Sequence, residues 1–164
     1  MSIGTQRSTL PHSSRARLVA VLTAACIGAV FAPSAIAGAA TVTRGDLAAF
    51  ATGVGQPITG RAQMVRTADG KTIVSVHVEG LAANTTYGSH VHQQACAVGE
   101  ADGHYKFNPV GPAAPPNEIW PGFTTNAAGI GNGNATVSGT AGSNAVSVVV
   151  HAPGGAKVAC ADLS

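Results

Sequence analysis

The residues best suited to chemistry in this chain are histidines. His90 and His92 flank Val91 in a segment of extended character, so their side chains leave the same face of a strand. At the usual strand rise their Cβ atoms stand about 6–7 Å apart, and two imidazoles at that separation can converge on one metal ion. A lone His-x-His pair has a plain alternative, two rings on a solvated strand face. Two more histidines strengthen the metal reading: His104 in a long irregular stretch, and His151 at the end of the apolar run Val148-Val-Val-His151. A histidine closing an apolar strand also occurs as a satisfied rim residue, so His151 keeps that second reading. Four convergent imidazoles suit copper best, because Cu(II) accepts tetragonal nitrogen sites and leads the affinity order of the divalent ions. Zinc competes where the donors stand tetrahedrally. His77 falls on the polar face of its strand and reads as solvent-facing.

Cysteines tie the histidine segments together. Cys96 lies four residues after His92 and eight before His104, and Cys160 lies nine after His151. Once Cys26 is set aside with the N-terminal segment, these two remain, an even number in an exported chain, and a disulfide is the natural reading. The alternative is two unpaired buried thiols. Closing a loop of 64 residues would stabilise the fold by roughly 4 kcal/mol in the chain-entropy description. It would also draw three histidine-bearing segments toward one end of the molecule.

The elements that must position these residues are strands. Lys71–Glu79 alternates, with Val74, Val76 and Val78 on one face and Ser75, His77 and Glu79 on the other. Ala68-Asp69-Gly70 joins it to Gly60–Thr67, and Asp-Gly between two extended runs signals a hairpin. Further strands are expected at Tyr87–His92, Asn134–Ser138, Ala145–His151 and Lys157–Ala161, with Gly129–Gly133 as turn material. Short strands separated by glycine-rich turns predict an all-β sandwich or barrel. From Gln93 to about Thr125 the chain holds Pro109, Pro112, Pro115, Pro116 and Pro121, which bar a central strand. A loop of about 30 residues in so small a domain is more often functional than idle.

The N-terminus reads as an export signal. Arg7, Arg15 and Arg17 precede the apolar run Leu18–Phe31, and Ala35-Ile-Ala37 has the small residues of a cleavage site. An acylated N-terminus at Cys26 is the alternative, and Thr23-Ala-Ala-Cys26 fits that pattern poorly. Residues 1–37 are therefore expected to leave a mature domain of residues 38–164, secreted or held in the cell envelope without stable membrane association. That domain keeps six basic and seven acidic side chains, a net −1, and no basic run, so nucleic acid is not an expected partner. Oligomeric state stays open.

Set in order, the motifs resemble the copper–zinc superoxide dismutase family. The resemblance rests on Gly80-Leu-Ala-Ala-Asn-Thr-Thr-Tyr-Gly-Ser-His90-Val-His92, Cys96, His104-Tyr-Lys-Phe-Asn-Pro109, Ser147-Val-Val-Val-His151-Ala and Gly155-Ala-Lys-Val-Ala-Cys160, and spans roughly residues 57–162. It implies a Greek-key β-barrel or sandwich of about eight antiparallel strands with one long functional loop. It further implies copper held by His90, His92 and His151, with His104 as the residue that bridges copper to zinc, and the disulfide Cys96–Cys160.

Three departures shape what it implies. Between Tyr105 and Asn144 there is no His or Asp to complete a zinc site, and Trp120 and Phe123 stand where a His and the Asp would be. Zinc is therefore not expected, and the two aromatic side chains are expected to fill that space. Only Ala152–Ala159 separates His151 from Cys160, without an acidic residue, where the family carries a long charged loop. Lys157 takes the place of an Arg near the copper; it keeps the charge and loses the two-pronged donor geometry. Together these resemble the family's copper-only, extracellular branch. The implied activity is dismutation of superoxide, with His104 handling the proton and Lys157 attracting the anion. Glu118 and Asp102 are the acidic candidates to orient His104. A copper-binding or buffering protein with little turnover, and a structural sandwich with incidental histidines, are the alternatives.

Overall fold

The computed structural model describes residues 38–164, together with Met1 and Gly4. The predicted export signal and Cys26 otherwise lie outside the described residues. Among the described residues nine strands form two antiparallel sheets: β1 (Thr41–Asp46), β2 (Ala48–Ala49), β3 (Thr59–Arg66), β4 (Lys71–Glu79), β5 (Thr86–His92), β6 (Phe123–Thr124), β7 (Gly131–Ser138), β8 (Ser147–His151) and β9 (Lys157–Asp162). One sheet has the order β1-β3-β4-β7 and the other β2-β9-β8-β5-β6. The chain leaves the first sheet after β4 and returns to it at β7, the crossover of a Greek key. The all-β expectation holds in its sandwich form; hydrogen bonding does not close the described residues into a continuous barrel.

Alternation builds the core. Ala62 and Met64 of β3 and Val74, Val76 and Val78 of β4 point inward and meet Val91, Val148, Val150, Ala159 and Ala161 from the second sheet. Burying each such valine contributes about 1.5–3 kcal/mol. The β3–β4 hairpin turns at the predicted place, with Gly70 at φ +80° and its N–H bonded to the Thr67 carbonyl at 3.1 Å.

Five elements differ from the sequence reading. The stretch ending at Gly133, expected as a turn, is largely the first half of β7, pairing Gly131 with Val78 and Gly133 with Val76. Its glycines serve close approach: a Cβ on Gly131 would stand 2.2 Å from the Phe123 ring, and one on Gly133 would stand 2.0 Å from the Pro121 carbonyl oxygen. β8 begins at Ser147 because Ala145 is spent in a turn, its N–H bonded to the Gly142 carbonyl. β1, β2 and β6 were not foreseen; β2 and β6 have two residues each and carry no periodicity to read.

The long segment after β5 is ordered by β5 itself. Val91 donates its N–H to the Ile119 carbonyl (3.0 Å), and Tyr105 donates to the Val91 carbonyl (2.8 Å). Gln93 donates to the Gly103 carbonyl (3.2 Å). Backbone groups that would be stranded at this part of the strand edge are thus satisfied by the segment. Ile119 and Tyr105 are buried and anchor it in the core.

Candidate metal centre

On β5, Tyr87, Ser89 and Val91 turn inward, which sends His90 and His92 to the opposite face. That face of the second sheet is covered by the long segment, which brings in His104 through a bridge between His92 and His104. β8 pairs with β5 so that His151 lies opposite Gly88, and an irregularity in its pairing with β9 falls between Val150 and His151. Bulges of this kind re-aim a side chain. The His90 and His104 rings come to 4.1 Å between centroids, His90 and His151 to 4.7 Å, and His92 and His104 to 4.8 Å. One ligating atom from each of the four lies within 4.8 Å of the others. This largely buried group could hold a metal ion.

Hydrogen bonds decide which nitrogens face inward. His92 donates Nδ1–H to the carbonyls of Asp102 (3.1 Å) and Ala101 (3.3 Å). His151 donates Nδ1–H to the Gly155 carbonyl (3.1 Å), and His104 donates Nδ1–H to Oε2 of Glu118 (2.7 Å). In a neutral ring the other nitrogen is then a bare acceptor. The Nε2 atoms of His92 and His151 lie 3.3 Å apart, and since neither carries a proton, two lone pairs converge rather than a hydrogen bond. His90 Nδ1 is buried with no hydrogen-bond partner among the described residues. An orphaned ring nitrogen beside converging lone pairs fits a cation. Burial, and after it the neighbouring His104 and His151, push His90 and His92 down to about 3. Burial also lowers His151, against the Gly155 carbonyl, which raises it. His90, His92 and His151 are therefore in the neutral, ligating form at ordinary pH.

An unusual turn supports the site from below. Gly99, Glu100, Ala101 and Asp102 all adopt left-handed φ, +53°, +50°, +66° and +51°. For residues other than glycine this costs roughly 1–2 kcal/mol apiece. The surroundings over-determine it: Ala101 is buried against Val149 and Cys160. Lys157 Nζ donates to the carbonyls of Glu100 (2.7 Å) and Asp102 (2.9 Å). Lys157 is thus beside the histidines, with two of its donors committed to backbone. The Cys96–Cys160 disulfide is formed, with S–S 2.07 Å, and it ties the segment to β9.

Of the two acidic residues considered for orienting His104, Glu118 does so. Asp102 does not: its side chain accepts from Gln93 Nε2 (3.3 Å), because the left-handed turn directs its backbone carbonyl to the site instead. Glu118 is 1% exposed. Of the two aromatic residues, Phe123 fills the interior and stacks on Tyr87 at 5.8 Å between centroids. Trp120 does not fill it; the side chain stays 39% exposed, sets its ring 5.1 Å from that of His90 and donates Nε1–H to Glu118 Oε2 (2.8 Å). The donor role of Trp120 and the carbonyls of Ala101, Asp102 and Gly155 were not legible in the sequence. The glycines flanking residues 100–102 were the available signal for an unusual turn. His77 lies apart from the centre, bonded to Asn132 and Glu79.

Among the described residues no helix is long and apolar enough to cross a membrane. No protein-family model matches the chain, and no curated protein matches it in sequence.

Proposed function

We propose that this chain is an exported copper-dependent superoxide dismutase without a zinc site, similar to the copper-only branch of the copper–zinc superoxide dismutase family. The observation that carries the reading is the four-imidazole cluster whose fourth member, His104, turns its far nitrogen to a buried carboxylate where the family would place a second metal. The donor set supports copper: four imidazole nitrogens converge, and the nearby cysteines are consumed in a disulfide. His90, His92, His104 and His151 would hold the ion.

Copper, when bound, supplies the one-electron couple that takes one superoxide to oxygen and a second, with two protons, to hydrogen peroxide. The chain's own residues do the rest. Lys157 keeps one N–H beyond the two given to Glu100 and Asp102, and its charge draws the anion to the cluster. His104 holds its Nδ1 proton on Glu118, so its Nε2 would either hold the ion or, when off it, carry a proton for the nascent peroxide.

The test is metal content and superoxide dismutation of the exported protein, with copper and zinc both offered. One copper, negligible zinc, and turnover abolished in His104→Ala support the proposal. One copper without turnover replaces it with a copper-binding or buffering protein, a reading favoured by the commitment of two Lys157 donors to backbone. No copper, or binding unchanged in His104→Ala and His151→Ala, leaves a structural sandwich.

A further inference from the structure

We propose that Trp120 is a positioning residue, whose indole N–H holds Glu118 in the one orientation that fixes the tautomer of His104. The inference deepens the copper reading and rests on it for its consequence at the metal.

Glu118 Oε2 accepts two bonds, from His104 Nδ1 (2.7 Å) and from Trp120 Nε1 (2.8 Å). The other oxygen, Oε1, is buried without a hydrogen-bond partner among the described residues, and the nearest cation, Lys106 Nζ, is 4.0 Å away. Nothing on the Oε1 side therefore holds the carboxylate plane by hydrogen bonding. A terminal carboxylate torsion is soft, with broad minima. Among the described residues the Trp120 bond is then the one anchor of Oε2 that does not come from His104 itself. With it, Oε2 faces Nδ1 as an acceptor, so that a neutral His104 ring carries its proton on Nδ1 and presents Nε2 as the acceptor. Without it, the carboxylate can turn, and both tautomers become accessible.

The indole is built for the task. Its ring lies against His90, 5.1 Å between centroids, so the same side chain braces one ligand by contact and another through Glu118. Trp120 is two residues beyond Glu118, and Ile119 between them is fully buried with its carbonyl bonded to Val91. The backbone that presents both side chains is thereby pinned to β5.

The test reads the metal-free protein first. With 15N-labelled histidine, the imidazole nitrogen shifts of His104 should report a single Nδ1–H tautomer, and in Trp120→Phe, which keeps a ring and loses the donor, a mixture. Copper affinity should fall about 10–100-fold in the same variant, the usual cost of losing a group that orients a ligand. Glu118→Gln combined with Trp120→Phe should cost little more than Glu118→Gln alone, because the two act in series. An unchanged His104 tautomer in Trp120→Phe, or additive losses in the double variant, would overturn the proposal. Should Trp120→Phe fail to fold, hydrogen exchange in the unsubstituted chain decides: the single indole N–H is expected to exchange more slowly than a solvated indole despite its exposure, and exchange at the solvated rate refutes the bond. A protein with the expected tautomer but no superoxide turnover keeps this inference and refutes only the dismutase reading.

Discussion

Both sheets carry histidines on their outward faces, and the two faces have opposite chemistry. On the first sheet, His77 follows the same alternation as its neighbours and reaches solvent between Asn132 (2.8 Å) and Glu79 (3.1 Å). Both of its nitrogens meet oxygen acceptors, which favours the doubly protonated ring; the Asn132 bond first, and Glu79 after it, raise its pKa. On the second sheet, His90 and His92 leave β5 with the same alternation, yet the long segment covers them and their pKa values fall to about 3. One strand pattern thus yields a proton-holding histidine where the face is bare and proton-rejecting ligands where it is covered. The cover, more than the strand, makes the site.

Stripping the cover should have the largest effect. Replacing Cys96 and Cys160 by serine removes the tie between segment and β9, with an expected loss of roughly 4 kcal/mol in denaturant unfolding. A loss below about 1 kcal/mol would show that Ile119 and Tyr105 hold the cover alone. Next in size, His92→Ala should weaken copper binding, measured by chelator competition, by more than the 10–100-fold typical of losing an orienting partner; unchanged affinity would remove His92 from the donor set.

The pH dependence of metal-free stability should separate the two faces. His90 and His92 bind protons in the unfolded chain below its ordinary value near 6.5 but resist them when folded until about pH 3. Stability should therefore drop as pH falls from about 6.5 toward 3. His77 works the other way: its contribution is present below 6.5 and is lost as pH rises through its raised folded value. A metal-free stability profile flat between pH 6.5 and 4 would contradict the neutral cluster. The smallest effect belongs to His77→Ala, within about 0.5 kcal/mol, as for most exposed ion pairs, with no change in copper affinity.

Much of this site was legible from residue types and spacing. His90 and His92 announce one face of a strand, Cys96 and Cys160 announce the tie, and Glu118 was one of two candidates to orient His104. What spacing could not convey was which nitrogen each ring presents, since that depends on carbonyls of Ala101, Asp102 and Gly155 whose direction is set by left-handed backbone. Nor could it separate Glu118 from Asp102, because burial and not proximity in sequence selects between them. The glycines of β7 misled for a related reason: Gly131 and Gly133 look like turn residues, but they are small so that Phe123 and Pro121 can approach a strand. Trp120 was read as a space-filling residue because its contribution is one N–H on a side chain that pattern alone assigns to packing.

The facing lone pairs of His92 and His151 have a consequence for how long the folded chain lasts. Two bare nitrogens 3.3 Å apart repel until a cation comes between them. The folded chain is then a weaker competitor against unfolding and proteolysis when the ion is scarce. A metal ion at a thousand times its dissociation constant would add about 4 kcal/mol to folding stability. The abundance of the protein would track the metal around it, so that metal supply sets how much of the fold survives to be used.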